Sequence, residues 1–334
     1  MTKPRPPHDV ITDLSYGYLY SAALFTAVEL GVADQLESGP KSVNALAEAL
    51  GVKAQPLMRI LRLLATAGVF TETDPEHFAL TPAADILRNG AQGSMRDAVM
   101  MMIHEMFWAP AGKLSTTVRT GETPFVQIFG GSFFDYLARN PEAGLVYHRG
   151  MAGMSDIENA PIASAYDFTP FRRIVDVGGG HGGFLVEALR ANPTARGVLH
   201  DAEHVLNDSR IAAEGLSDRC EILAGDFFAS VPHGDAIILK RILHDWSDDS
   251  AIVILRACRK ALDEGGRVLV IDAVLPPGDT QHLGKVMDVM MMVSLPGRER
   301  TEDDFARLFA ASGLRLNRIV KTPTHLSIVE AVAA

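Results

Sequence analysis

The chain has 334 residues, with 31 Lys+Arg against 41 Asp+Glu and a formal net charge of −10. At roughly 150 residues per domain that length predicts two domains, and 47% hydrophobic with 22% charged residues allows a buried core and excludes compositional disorder. The acidic balance weighs against phosphate backbones and anionic lipid as partners, and two cysteines, Cys220 and Cys258, exclude a disulfide scaffold or a Cys-rich zinc module. The opening MTKPRPPHDV lacks the apolar stretch of a signal peptide, and no window reaches 18 uncharged apolar residues. A cytoplasmic protein with no nucleic-acid or membrane partner is the expectation.

Residues 10 to about 110 read as almost wholly helical. Leu24, Val28, Val32 and Leu36 recur at helical spacing, and Ser42 caps a segment with apolar Val43, Leu46, Ala47 and Leu50 that stops at Gly51. A further helix carries Leu57, Ile60, Leu61, Leu64 and Ala65 on one face and stops at Gly68. Two short strand-like runs, VFTE and HFALT, flank a turn at Thr71–Pro75. Helix, turn, helix and wing form a winged-helix pattern, which often reads DNA. Here residues 1–110 hold 8 Lys/Arg against 12 Asp/Glu, and the second helix offers only Lys53, Arg59 and Arg62. A groove reader brings a basic face, so dimerisation or substrate-lid duty fits this region better.

Residues 110–170 hold further helices rich in Met, Phe and Gly, punctuated by Gly121-Glu-Thr-Pro124 and Gly130-Gly131. From Arg172 strands and helices alternate. The strands are 173–178, 196–201, 220–225, 235–240 and 267–272, short uninterrupted Val/Ile/Leu runs of the kind found in a parallel sheet buried on both faces. The closing segments LRLNRIVKTP and HLSIVEAVA form an antiparallel hairpin at one edge. The domain boundaries that follow are 1–110 and 111–334, with the sheet beginning near residue 172.

The first of these strands enters Gly178-Gly-Gly-His-Gly-Gly183, in which Gly178, Gly180 and Gly183 fit the G-x-G-x-x-G of a nucleotide loop at a helix N-terminus. Asp201 ends the next strand, 23 residues after Gly178, where it can accept hydrogen bonds from two ribose hydroxyls. Asp176 tips the choice of nucleotide, unless it is a structural residue that bonds the loop amides. A carboxylate two residues before the first glycine repels a pyrophosphate but suits the ammonium of a methionine moiety. In Gly225-Asp226-Phe227-Phe228 a carboxylate beside a ring suits an adenine. Together these favour S-adenosylmethionine over a dinucleotide.

Residues 239–246, Leu-Lys-Arg-Ile-Leu-His-Asp-Trp, leave the fourth strand at its carboxyl end, where open α/β sheets bind ligands. His244 is therefore the candidate general base, able to take the proton of a phenol as a methyl is transferred. Such a histidine needs a carboxylate to set its tautomer. Asp272, at the end of the fifth strand, and Glu299, in Gly297-Arg-Glu-Arg-Thr301, are the candidates, while Asp245 is placed to cap the following helix. Spacing does not decide among them. His181, within the glycine loop, can touch a ligand but has no evident proton to move.

VDVGGGHGGF, GDFF, LKRILHDWSDD and GRERT, in this order, resemble the caffeate-type small-molecule O-methyltransferases and their bacterial antibiotic-pathway relatives. The resemblance spans nearly the whole chain. It implies an α/β fold: a Rossmann-like class I methyltransferase sheet with an antiparallel C-terminal edge hairpin, plus an N-terminal all-helical, winged-helix-like dimerisation domain. It also implies a homodimer, S-adenosylmethionine as cofactor with S-adenosylhomocysteine as product, and no metal. His244 matches the base and Asp272 and Glu299 the acids flanking it; Asp201 matches the ribose ligand, Asp226 and Phe227 the adenine site, Lys240 a residue near the methionine carboxylate or adenine edge, and Gly178 the loop glycine. Tyr147, Met151 and Ser155 fall at cofactor- and sulfur-side contacts, and Met287, Met290 and Met291 on the helix that walls the substrate. Two positions depart from the plant pattern: Asp272 replaces a Glu, and Leu295 an Asn that bonds the substrate's neighbouring oxygen. A pocket walled by these methionines, Phe107, Trp108 and Phe125 suits a larger, flatter ring system of phenazine or polyketide type. Competing readings are a cofactor-retaining relative that hydroxylates or decarboxylates, a winged-helix DNA regulator and a nicotinamide dehydrogenase.

Overall fold

The structure, a computed structural model, describes residues 5–334, and the chain divides into two compact units. The first comprises Met1–Glu105 with Pro141–Met154, the second Met106–Asn140 with Ser155–Ala334. Where the sequence reading draws one boundary at residue 110, the division comes at Glu105, and a later segment, Pro141–Met154, is counted with the first unit.

In the first unit the apolar series Leu24, Val28, Val32, Leu36 is broken at Gly31, whose φ of +71° ends the helix Pro7–Glu29 and starts the short helix Val32–Gln35. Ser42 accepts the Ala45 N–H and caps the helix Val43–Leu50, and Gly51 closes it in the left-handed region. The helix Ala54–Thr66 turns Leu57, Leu61 and Leu64 inward, onto a core that also holds Val28, Leu46, Phe70 and Phe78. Strands β1 (Lys41–Ser42), β2 (Phe70–Asp74) and β3 (His77–Leu80) form an antiparallel sheet of order β1-β3-β2. The wing thus gains a two-residue strand absent from the sequence reading. Arg62 forks onto Glu72 of β2 with N···O distances of 2.8–3.2 Å, so one of the two cations on the helix is engaged within the unit, Lys53 lying just before its start.

The second unit is built on seven strands: β4 (Arg173–Val177), β5 (Arg196–Asp201), β6 (Cys220–Ala224), β7 (Gly234–Lys240), β8 (Leu262–Asp272), β9 (Leu314–Lys321) and β10 (Ser327–Ala333). Their order is β6-β5-β4-β7-β8-β10-β9, parallel from β6 to β8 and antiparallel at β10 and β9. β8 begins five residues earlier than the sequence pattern, because Leu262 pairs with Gly234 before a bulge restores the register at Arg267. Apolar side chains pack on both faces. Ile174, Ile238, Leu269 and Ile271 face one layer, and Val175, Ile237, Val268 and Val270 the other. The strand order reverses between β4 and β7, which opens a crevice beyond their carboxyl ends.

Candidate active site

The glycine loop leaves β4 in conformations that few other residues adopt, with φ of +66° at Gly178 and +59° at Gly180. A Cβ on Gly179 would lie 2.6 Å from Leu199 and 2.7 Å from the Asp176 carboxyl, so the loop hugs the sheet edge and leaves an open cradle above it. Asp201 holds the cradle in place, its carboxylate accepting the Gly180 N–H at 2.8 Å and the Ala202 N–H at 2.7 Å. Asp176 is 1% exposed, and both of its carboxylate oxygens lack a hydrogen-bond partner among the described residues. Burial lifts its pKa to about 7, against the pull of Lys240 and with the help of Asp201. A buried carboxylate beside a glycine cradle can bind a cationic ligand group.

On the opposite side of the crevice β7 ends at Lys240, whose ammonium donates to Ser155 Oγ at 3.1 Å and lies 3.8 Å from Glu158. Burial and the neighbouring Arg241 lower Lys240 to about 8, with Glu158 opposing them. Arg241 itself is buried at a φ of +56° and grips Glu158 through Nε and Nη2 at 3.2 and 2.7 Å. Neither Glu158 nor Arg241 was singled out from the sequence. No spacing rule links two residues 83 positions apart on a helix and a strand end. Asp226 accepts the Phe228 N–H at 2.8 Å, which closes the turn after β6. Phe227 meets Trp246 edge-on at 6.3 Å between ring centroids.

His244 stands on the single 3-10 turn Leu243–Asp245 that follows β7. Its Nδ1 lies 2.8 Å from Glu299 Oε1, and its Nε2 lies 3.4 Å from Asp245 Oδ1. All three are buried. The carboxylate on Nδ1 is thus Glu299, while Asp272 has both oxygens without a hydrogen-bond partner among the described residues and acts on the ring through its charge. Asp245 does not cap the following helix. Ser247 does, by accepting the Ser250 N–H, because the turn places Ser247 at the helix start and Asp245 against the imidazole. Burial opposes the imidazolium, but Asp245, Glu299 and Asp272 outweigh it and raise His244 to about 9. Burial in turn raises Asp245 to about 6 and Asp272 to about 7, with His244 pulling both down.

Of the residues assigned to the substrate wall, Met287, Met291 and Leu295 are buried on or just beyond the helix Leu283–Ser294, and Met290 is half-buried. Phe125 has no exposed surface and packs with Phe129, Phe133 and Tyr136 at 4.6–5.6 Å between centroids. Phe107 joins the same cluster through Phe133, whereas Trp108 is 44% exposed. Tyr147 and Met151 lie on the stretch of the helix Pro141–Ser164 counted with the first unit, and Ser155 on the stretch counted with the second. Among the described residues no group of three or more His, Cys, Asp or Glu is disposed to hold a metal ion, and no helix is long and apolar enough to cross a membrane.

A histidine paired to a carboxylate follows β7, and a glycine loop beside a buried carboxylate follows the neighbouring β4. Residues 112–315 match the model of the O-methyltransferase domain, and residues 12–89 that of the O-methyltransferase dimerisation domain. The chain belongs to the O-methyltransferase family. Within that family, this O-methyltransferase is 44% identical to the phenazine O-methyltransferase PhzM of Lysobacter antibioticus, over 98% of this chain and 96% of that one. Among solved structures it is similar to CalO1, a methyltransferase in calicheamicin biosynthesis with S-adenosylhomocysteine bound (TM-score 0.90, 39% identity, 99% of this chain and 100% of that one). It is also similar to NcsB1, an O-methyltransferase from neocarzinostatin biosynthesis in complex with S-adenosylmethionine and 2-hydroxy-5-methyl naphthoic acid (TM-score 0.81, 30% identity, 95% and 96%).

Proposed function

We propose that this O-methyltransferase methylates a hydroxyl on a small polycyclic aromatic metabolite of phenazine or polyketide type, with His244 as general base. S-adenosylmethionine supplies an electrophilic methyl on a sulfonium and leaves as S-adenosylhomocysteine. Asp176 takes its ammonium, Asp201 the ribose diol, and Asp226 with Phe227 the adenine; Lys240, held by Ser155, lies toward the carboxylate or the adenine edge. Tyr147 and Met151 complete the cofactor side, and Met287, Met290, Met291 and Leu295, with Phe107, Trp108 and Phe125, wall the acceptor. The N-terminal unit pairs with a second copy of the chain. Support for the aromatic acceptor comes from the naphthoic acid bound by NcsB1 and the phenazine named for the Lysobacter enzyme.

The observation that carries the reading is the 2.8 Å contact between His244 Nδ1 and Glu299. It supports a proton on Nδ1, with Nε2, 3.4 Å from Asp245 Oδ1, as the atom that takes the acceptor's proton. Incubation with labelled S-adenosylmethionine and a panel of tricyclic and tetracyclic hydroxyaromatics, with products read by mass, identifies the acceptor. On that acceptor His244→Ala loses roughly 10²–10⁴-fold in kcat, while calorimetric binding of S-adenosylhomocysteine is retained. Native turnover by this variant refutes the base.

A further inference from the structure

Two motifs are only partly used by this reading. In Gly297-Arg-Glu-Arg-Thr301 only Glu299 has a role, and the Asp248 that follows the base turn has none. Among the described residues Arg300 is the largest fully buried side chain, at 1% exposure. A buried guanidinium is costly unless every arm is bonded. Here Nη1 donates to the Leu243 carbonyl at 2.6 Å, and Nη2 to the Trp246 carbonyl at 2.9 Å. Nη2 and Nε also reach Asp248 Oδ1 at 2.9 and 3.1 Å.

Leu243 and Trp246 bracket His244 and Asp245, so the two arms of one rigid fork hold both ends of the turn that presents the imidazole. Within the turn itself the backbone bonds are long, 3.2 Å for Asp245 N–H to Ile242 and 3.3 Å for Trp246 N–H to Leu243. The other end of the fork is fixed as well. The Arg300 carbonyl accepts the Leu275 N–H at 2.9 Å, which ties its main chain to the segment leaving β8. Arg298 adds a second cation on Asp248 at 2.8 Å.

We infer that Arg300, anchored by Asp248, is a positioning residue for the base, setting the His244 ring between Glu299 and the acceptor oxygen. This rests on the assignment of His244 as base. Catalytic groups must be held to within about 0.5 Å, and a one-turn helix with long backbone bonds does not do that alone. Lysine carries the charge but not the planar fork, and its single ammonium does not span two carbonyls on opposite ends of a turn.

The test compares R300K, D248N and H244A in the full chain. A misplacement of about 1 Å costs on the order of 10²-fold, so R300K is expected to lower kcat roughly 10–100-fold while S-adenosylhomocysteine binds within about twofold of wild type. D248N, at a side chain 45% exposed, leaves the fork in place but unanchored, folds normally and lowers kcat by roughly 3–10-fold on the same scale. A readout that needs no acceptor is the nitrogen-15 spectrum of histidine-labelled protein. The downfield Nδ1 proton of His244, assigned by its absence in H244A, broadens or disappears in R300K. Wild-type kcat and an unchanged proton signal in both R300K and D248N, with H244A inactive, overturn the positioning role and leave the base standing. Native turnover by H244A overturns both. Parallel loss of turnover, S-adenosylhomocysteine binding and melting temperature in both variants makes Arg300 a core residue only and refutes the inference. If R300K does not fold, D248N decides alone.

Discussion

At the scale of single residues the site is governed by how buried carboxylates share protons. His244 is raised from 6.5 to about 9 because, despite burial, Asp245, Glu299 and Asp272 stabilise its charged form. The imidazolium therefore persists at neutral pH, whereas a general base must be neutral. Below the folded pKa each unit of pH removes about a factor of ten of the active form. We expect kcat/KM to climb from pH 7 toward pH 9; a pH–rate profile flat across that interval refutes the shift or the role. The same group's contribution to folding has the opposite sense. It is fully present below about 6.5 and is lost as the pH rises through about 9. That a histidine after the fourth strand was a candidate base, with Asp272 and Glu299 as its candidate partners, was legible from residue types and motif positions. Which acid touches Nδ1 was not, because His244 and Glu299 are 55 residues apart and meet only through the packing of their loops.

At the scale of elements, the base turn and the 297–301 segment interlock through backbone as much as through charge. Gly297 lies so close to the turn that a Cβ there would fall 1.9 Å from the His244 carbonyl oxygen and 2.6 Å from the Trp246 nitrogen, both main-chain atoms with no side-chain freedom to yield. Gly297→Ala is therefore expected to cost about 1–3 kcal/mol through overpacking, lowering the melting temperature by several degrees, and to reduce kcat more than it weakens cofactor binding. Unchanged melting and turnover refute that close approach. The helices and strands themselves follow local rules that the sequence displays. Ser42 caps, Gly51 stops, and β7 and β8 carry the unbroken apolar runs Ala236–Leu239 and Val268–Ile271. The early start of β8 at Leu262 and the two-residue β1 at Lys41–Ser42 follow from pairing with Gly234 and with His77–Phe78. Strand pairing of that kind has no local signature.

At the scale of the molecule, the helix Pro7–Glu29 buries only Ala23, Ala27 and Val28 among its residues and leaves Ile11, Leu14, Tyr16 and Leu19 exposed, Leu14 at 76%. Such an apolar face on a unit that matches a dimerisation model calls for a second copy. Burying one leucine is worth about 1.5–3 kcal/mol. Leu14→Glu is then expected to weaken self-association at least tenfold and to move the protein toward monomer in light scattering; an unaltered dimer places the interface elsewhere. In the wing Glu72 engages Arg62, one of the three cations that the sequence places at the second helix of the winged-helix pattern. By itself the sequence determined the class of the fold, the glycine cradle and its cofactor, and the candidate histidine, because glycine spacing, strand hydrophobicity and residue type are local properties. The tertiary structure alone decided that Glu299 rather than Asp272 bonds the imidazole, that Asp245 faces it instead of capping a helix, and that Glu158, Arg241 and Arg300 stand buried around the site. Those are contacts between residues far apart in the chain, and only the packing of strand ends against loops brings them within hydrogen-bond range.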